Sequence, residues 1–343
     1  MAKKLVGVLR RKAKELRLEK DADALGIDVL VFSPKEIQWR SKRIRGYLYS
    51  KGSWSETEST FPAAVYNRIY TSEIKLAAKL EKAIGENTVF NSVTWFDKWE
   101  VYTALRKTKA ASALPETMLY SLDGLKKMLA RYRKIIVKPR RGQFGKGVCR
   151  IEASESGYEL YQNLSIPKFV EADLEEFLAK AGRFFTGKSY ILQQFIPFAR
   201  YNGRIFDIRL YVQKNGRGQW AVAGGFSRLA VAGAYLTNQS SELVGIQEML
   251  TRRRAINARQ YEEMKKLGMV VAKALEKSMG HLGEVCVDFC VDTSGSIWII
   301  EVNGHTQKKL LLRLGDANLE RIRYYNPLAY AQHLAITKNA YPN

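Results

Sequence analysis

Cysteine and histidine are scarce, three of each in 343 residues. Three cysteines (Cys149, Cys286, Cys290) cannot form a complete disulfide framework, so the chain reads as one suited to a reducing cytoplasm. The three histidines (His281, His305, His333) are dispersed. They give no Ser-His-Asp or Cys-His constellation and, with the cysteines, no evident tetrahedral zinc set. Long apolar runs are missing as well; none approaches the ~18 residues that cross a bilayer. The start, MAKKLVGVLRRKAKELRLEK, holds one five-residue apolar-leaning run. A secretory leader needs about 7–15 such residues, so no signal peptide is expected. Internal repeats and long low-complexity segments are also lacking. Acidic residues are few beside basic ones, 34 against 56, a formal net charge of +22. That excess attracts polyanions: nucleic acid, anionic membrane, acidic polypeptide or nucleotide phosphates. It says nothing about fold.

What is present is a globular composition, 46% hydrophobic and 11% aromatic, which excludes a largely disordered or collagen-like chain. At about 100–200 residues per domain, the length allows two or three domains. LVGVL and IDVLVF read as buried strands of an α/β layer. AAVYNRIY ends another strand, and a helix follows over 72–84, with Ser72 as N-cap and Gly85 as its end. WFDKWEVYTALRK and SLDGLKKMLARY read as helices, KIIVKP and GVCRIE as strands, and residues 167–182 as a helix. YILQQFI, FDIRLYVQ and QWAVAGGFSRLA read as strands. A basic helical stretch from TRRRA to EKSM precedes a hairpin, and PLAYAQHLAI belongs to a last helix.

The most informative segment is that hairpin, GEVCVDFCVDTSGSIWIIEVNG. A two-residue turn at Ser294-Gly295 sets Asp288 opposite Glu301, and Asn303 points to the same face. Opposed residues in an antiparallel pair have Cβ atoms about 4.5–5.5 Å apart. Two carboxylates and an amide oxygen on one patch suit a hard divalent cation such as Mg²⁺. The other face, Val287, Phe289, Ile300 and Val302, is apolar and should pack on a core. A solvated polar face is the plainer alternative.

Two further segments carry chemistry. In IIVKPRRGQFGKGVCRIE, a strand-end lysine precedes a Gly-rich basic loop whose backbone N–H groups could cradle phosphates. It is no Walker A loop, because the G-x-x-x-x-G-K-[ST] pattern is absent and a strand follows. In GRIFDIRLYVQ, Asp207 and Arg209 share a face while Ile208, Leu210 and Val212 take the other. The partner strand ends near Ser227-Arg228. Two arginines beside a phosphate loop can stabilise a transferring phosphoryl group; a surface ion pair is the plainer reading.

In this order, YNRIY, FNSVTWFDKWEVYTAL, LPET, IIVKPRRGQFGKGV, ILQQFI, GRIFDIRLYVQ, FSRLA and IWIIEVN resemble the ATP-grasp superfamily, and within it the endospore coat-associated YheC/YheD family. DIR followed by a later SR is also similar to glutamate-adding ligases of that superfamily. The resemblance implies an α/β (α+β) ATP-grasp fold: a pre-ATP-grasp-like N-terminal domain over 1–95, a central subdomain with the Gly-rich loop over 96–192, and a C-terminal subdomain with a metal site over 193–343. It implies ATP and Mg²⁺ as cofactors, with Mn²⁺ as a substitute. Lys98 and Lys138 would contact the α/β-phosphates. Gly142, Gly145, Lys146 and Gly147 belong to the loop closing over the triphosphate. Gln193, Gln194, Phe195 and Ile196 would hold adenine through amide or backbone groups, and Asp207 the ribose. Arg209 and Arg228 would act on the γ-phosphate and acyl phosphate, and Asp288, Glu301 and Asn303 would hold metal.

The implied reaction is ADP-forming carboxylate–amine ligation through an acyl phosphate. The substrates are unnamed, an acidic peptide or coat component among the candidates. The implied location is the cytoplasm, with association to the developing spore coat. Two places depart from the family pattern. LTNQSSELVG lacks the usual Gly-Gly pair, and Gly304-His305-Thr306-Gln307 replaces a proline. Both border the acceptor side and leave open a catalytically silent, ATP-binding coat or scaffold protein. Nucleic-acid binding ranks last, since no RRM, KH or helix-turn-helix pattern accompanies the basic segments RSKRIR and TRRRA.

Overall fold

The computed structural model describes residues 3–162, 166–237, 240–306, 308–316, 319 and 321–340. The two apolar runs nearest the N-terminus, β1 (Lys4–Leu9) and β2 (Ile27–Phe32), pair in parallel, joined by α1 (Glu19–Leu25). Both are buried on two faces, which is why they read as continuous apolar runs. The sheet is completed by β3 (Ile37–Gln38), β4 (Arg43–Ser50), β5 (Ser53–Thr60), β6 (Ala64–Asn67) and β7 (Val89–Phe90) in the order β3-β4-β2-β1-β6-β7, with β5 on β4. The β4–β5 hairpin turns at Lys51 and Gly52, both at positive φ, the geometry of a tight two-residue turn. Helix α2 (Lys75–Ile84) covers one face through Ala77, Leu80 and Ile84.

The second sheet is antiparallel throughout. It contains β8 (Thr117–Leu119), β9 (Lys134–Pro139), β10 (Cys149–Ser154), β11 (Gly157–Gln162), β12 (Phe169–Glu171) and β13 (Tyr190–Gln194), in the order β12-β11-β10-β9-β13-β8. Before it comes α3 (Lys98–Leu105); α4 (Leu122–Tyr132) and α5 (Leu174–Phe184) pack on the sheet. The third sheet runs β17-β16-β15-β18-β19, with β14 (Arg200–Tyr201) on β15. Its strands are β15 (Arg204–Lys214), β16 (Trp220–Ala230), β17 (Ser240–Gly245), β18 (Glu284–Val291) and β19 (Ile297–Asn303). Helices α6 (Ile246–Thr251) and α7 (Ala258–Met279) cover it, and Val101 and Leu105 of α3 join the same core. The last helix, α8 (Tyr325–Ala340), returns to the first sheet, where Leu328, Ala331 and Ala335 pack against Val6, Val8 and Tyr66.

Three local expectations need correction. Ser72 does not cap α2. Thr71 Oγ1 accepts from Glu73 N, and Thr94 Oγ1 holds Thr71 N, so the helix starts at Lys75. The stretch 167–182 is part strand: Phe169 packs on Phe177 and Phe184 and draws 169–171 onto the sheet edge, and Asp173 caps the helix that follows. The basic helical stretch is broken at Arg254, whose φ is positive. There Asn257 starts α7 through a reciprocal cap with Gln260. Arg253 is spent on Glu242 and Glu248, and in RSKRIR, Arg43 pairs with Glu58 and Arg45 with Glu56. Part of the charge of each basic segment is therefore paired within the chain.

Candidate active site

The second and third sheets face each other across a cavity of about 440 Å³. Of the sixteen sequence-chosen residues, every one but Gly147 lines it. Gly147 sits beneath Pro139, which a Cβ there would meet at 3.0 Å, and it has positive φ; it shapes the loop and does not line the cavity.

The floor comes from the β18–β19 hairpin. The turn is a three-residue one, not two: Asp292 N donates to Ser296 O, and Asp292 Oδ1 accepts from Ser294 N and Ser296 N. That change alone would move Asp288 off Glu301. A bulge at Ile300 shifts the register back, so Phe289 faces Ile299 while Asp288 faces Glu301. Two departures cancel, and the expected pair stands. They also exchange two isoleucines: Ile299, not Ile300, joins the core, and Ile300 turns to the cavity. The bulged residue's carbonyl accepts from Lys138 Nζ at 3.2 Å.

Along β15 and β16 the expected face alternation holds, with Ile208 and Leu210 in the core and Asp207 and Arg209 on the cavity. Register sets Asp207 beside Arg228, and Arg209 beside Asp288. Arg209 grips Asp288 bidentately, Nε to Oδ1 at 2.7 Å and Nη2 to Oδ2 at 2.6 Å. Arg228 Nη2 reaches Asp288 Oδ2 at 3.0 Å, and Arg228 also donates to both oxygens of Asp207. Thr237 donates a further bond to Asp207. Asp207, which the resemblance assigns to a ribose, thus spends its carboxylate on protein groups. Burial alone would push the Asp288 carboxyl up; Arg209 and Arg228 outweigh it and hold it below the usual carboxylate range.

Above the floor stand two lysines. Asp97 caps α3, accepting from Trp99 N and Glu100 N, and so aims Lys98 into the cavity. Lys98 Nζ lies 3.2 Å from Glu301 Oε1. Asp97 also pairs with Arg140 at 3.0 Å, tying the helix start to the Gly-rich loop. Asp97→Ala should lower stability by about 1–2 kcal/mol through loss of the cap, whereas Asp97→Asn, which keeps the cap, should recover most of it. Thermal unfolding of the two variants checks this.

Lys138 is only 7% exposed. Burial and then Lys98 depress its pKa, against the pull of Glu301, to about 8. Burial would raise Glu301, but Lys98, Lys138 and Arg209 bring it below its ordinary value despite Asp288.

Gln193 donates its amide to Thr117 Oγ1, and Gln194 Oε1 accepts from Glu116 N. Both side chains are anchored to the β8 region, which leaves backbone groups of 194–196 to read a ligand edge. Ile136, Val148, Phe195, Ile196, Phe198 and Ile300 make an apolar slot beside them.

Thr237 and Ser240, in the departing segment that the sequence set at the acceptor side, line the cavity; sequence reasoning missed Tyr235 and Arg313, which line it too. None carries a local motif; only β17 pairing and the 3-10 turn Lys308–Arg313 bring them in. Of the departing segments, Asn238, Gln239 and Gln307 lie outside the described residues. Ser241 is structural, accepting from Arg204 Nη1 and donating to Ala230 O.

Taken together, the lining holds six cations (Lys98, Lys138, Lys146, Arg209, Arg228, Arg313) against three carboxylates. Apolar side chains together with a surplus of positive charge suit a flat ring with an anionic tail. All the candidate metal donors are oxygens, as a hard divalent cation requires. Among the described residues no group of three His, Cys, Asp or Glu surrounds a point. A cation here would therefore rest on Asp288, Glu301 and Asn303 together with ligand oxygens. The 32% exposure of the Glu301 side chain leaves it reachable.

The family described as YheC/D-like ATP-grasp matches residues 86–334. The chain belongs to that ATP-grasp family. It is 24% identical to the endospore coat-associated protein YheD of Bacillus subtilis (strain 168), over 89% of this chain and 70% of that one. To YheC of the same organism it is also 24% identical, over 92% of this chain and 91% of the other. Among solved structures it is similar to N5-carboxyaminoimidazole synthetase from Staphylococcus aureus complexed with ADP, at TM-score 0.56 and 11% identity, covering 100% of this chain and 80% of that one. This likeness is one of fold. No described helix is long and apolar enough to cross a membrane.

Proposed function

We propose that this ATP-grasp protein is an Mg²⁺·ATP-dependent carboxylate–amine ligase, associated like its relatives' names with the endospore coat. The observation that carries the reading is the surplus of cations over carboxylates around a cavity with an apolar slot. The slot takes adenine, with backbone at 194–196 reading its edge. Lys98, Lys138 and the 140–148 loop take the phosphates. Asp288, Glu301 and Asn303 would hold Mg²⁺, which shields the phosphate oxygens when bound. Asp207 holds Arg228, and Asp288 holds Arg209, on the cavity wall where the γ-phosphate would lie. A substrate carboxylate attacks the γ-phosphorus and ADP leaves. An amine then attacks the acyl phosphate carbonyl, inorganic phosphate departs, and the amine's proton passes to solvent. No covalent protein nucleophile is needed; positioning and charge neutralisation carry the step.

The test is ADP release with amino acids or acidic peptides as substrates, beside a Glu301→Gln control. Turnover in the wild type and its loss in the control support the reading; equal turnover in both sinks it. One observation favours a second reading, a nucleotide-binding but silent coat protein. Both arginines are already committed to buried carboxylates. ATP binding with no ADP release across the substrate panel selects it.

Nucleotide affinity should fall as pH rises through about 8, where free Lys138 loses its proton. In the unfolded chain Lys138 keeps its proton to a higher pH. Between the two values the native state binds fewer protons, so the same shift makes stability rise with pH over that window. Calorimetric titration of ATP from pH 7 to 9 checks the first effect. Lys138→Arg should flatten the profile, because a guanidinium does not titrate there.

A further inference from the structure

Beyond the cavity, the parallel strands of the first sheet end in a cluster the proposed chemistry has not used. Arg10 follows β1 and Arg68 follows β6, and backbone bonds to Phe32 O and Leu9 O fix both at the carboxyl ends of the strands. In open α/β sheets this end is where ligands settle. Neither arginine has an ion pair with a carboxylate among the described residues. Arg10 Nη1 is buried and has no hydrogen-bond partner. Burial and the neighbouring Arg68 both disfavour its charge. Arg68 Nη1 donates to Tyr324 OH at 3.1 Å and lies over the rings of Tyr66 and Tyr324. Glu284, whose charge Arg68 feels, is already held by Lys308 at 2.6 Å, Tyr66 and Gln213.

The cluster runs on toward the cavity. His305 meets the edge of Tyr70, and Tyr70 stacks on Trp95 at 5.1 Å and feels the charge of Glu301. Trp95 Nε1 is a second buried donor without a partner. Burial disfavours the charge of Arg68, but Tyr66, Tyr324 and Glu284 outweigh it, so the uncompensated group is Arg10. Two unsatisfied donors and an arginine with neither acid nor acceptor among the described residues are costly to keep unless an anion completes them. Guanidinium forks match a carboxylate in both charge and shape.

We propose that Arg10 and Arg68 hold a carboxylate of the substrate other than the one that reacts, so that the chain selects an acidic amino acid or acidic peptide. This rests on the ligase reading of the neighbouring cavity. It also gives part of the large positive charge a purpose at the substrate end. A free amino acid and a peptide offer the same group, and the test separates them.

The experiment is calorimetric titration of the full chain, saturated with Mg²⁺ and a non-hydrolysable ATP analogue, with L-glutamate, tri-L-glutamate and tri-L-glutamine at one ionic strength. One or both glutamate probes should bind, and the stronger names the source. Triglutamine should bind at least tenfold more weakly than triglutamate. Arg10→Met and Arg68→Met should each weaken the bound probe at least tenfold, with nucleotide affinity within twofold of wild type. The melting temperature of Arg10→Met should be unchanged or raised, because an uncompensated cation has gone. A purely structural arginine would lower it instead. If the nucleotide binds but neither glutamate probe does, or if both variants bind as wild type does, the inference fails and the ligase reading stands. If the nucleotide itself does not bind, the ligase reading fails first.

Discussion

Lys138→Met will lose most of its nucleotide affinity, by about 30- to 100-fold, and will fold at least as well as the wild type. The affinity figure corresponds to one or two charge-assisted hydrogen bonds, about 2–3 kcal/mol. The stability half follows from where the lysine sits. Its ammonium is buried, has only the Ile300 carbonyl as a hydrogen-bond partner among the described residues, and is already pressed toward neutrality. Methionine fills similar space without a charge to desolvate. Loss of binding together with a steady or raised melting temperature is the signature of a group kept for a ligand. A lysine kept for the fold would show the opposite pattern. Calorimetry and thermal unfolding on one preparation decide between them.

Asp288→Asn should be the most damaging single change, at about 3–5 kcal/mol. One buried carboxylate answers two guanidinium groups, Arg209 and Arg228, at 2.6–3.0 Å. The amide is nearly isosteric but neutral, so Arg209 loses its ion-pair partner outright and Arg228 keeps only Asp207. Chemical or thermal unfolding measures the loss. Adding Arg209→Met to Asp288→Asn should return part of it, since the orphaned cation is then removed. If the single variant is as stable as wild type, the charge ladder across β16, β15 and β18 does not hold the sheet as described.

Most of the candidate site could be read from sequence because strand period and charge type travel together. Asp207 and Arg209 alternate with Ile208 and Leu210, and any sheet that buries the isoleucine and leucine must present the other two. The Asp288–Glu301 pairing was legible for a less secure reason. The sequence gives no sign that Asp292 would widen the turn, nor that Ile300 would bulge, and the pairing survived because the two offset each other. The fate of Ile300 was lost in the same step. Helix boundaries failed where side chains compete for backbone donors, as Thr71 does before α2.

The return of α8 to the first sheet is a long-range packing event with no local signal. So is the arrival of Thr237 at Asp207. Partnership among charges was the other blind spot. The resemblance offers Asp207 to a ribose, and the β15–β16 register sets Arg228 opposite it instead.

The most direct test of the central claim is a crystal structure of the full chain with Mg²⁺ and a non-hydrolysable ATP analogue. The account predicts the triphosphate between Lys98, Lys138 and the 140–148 loop, the base in the slot of Ile136, Phe195 and Ile300, and a cation against Glu301. A nucleotide bound elsewhere, or a base and phosphates in the reverse order along the cavity, would contradict it.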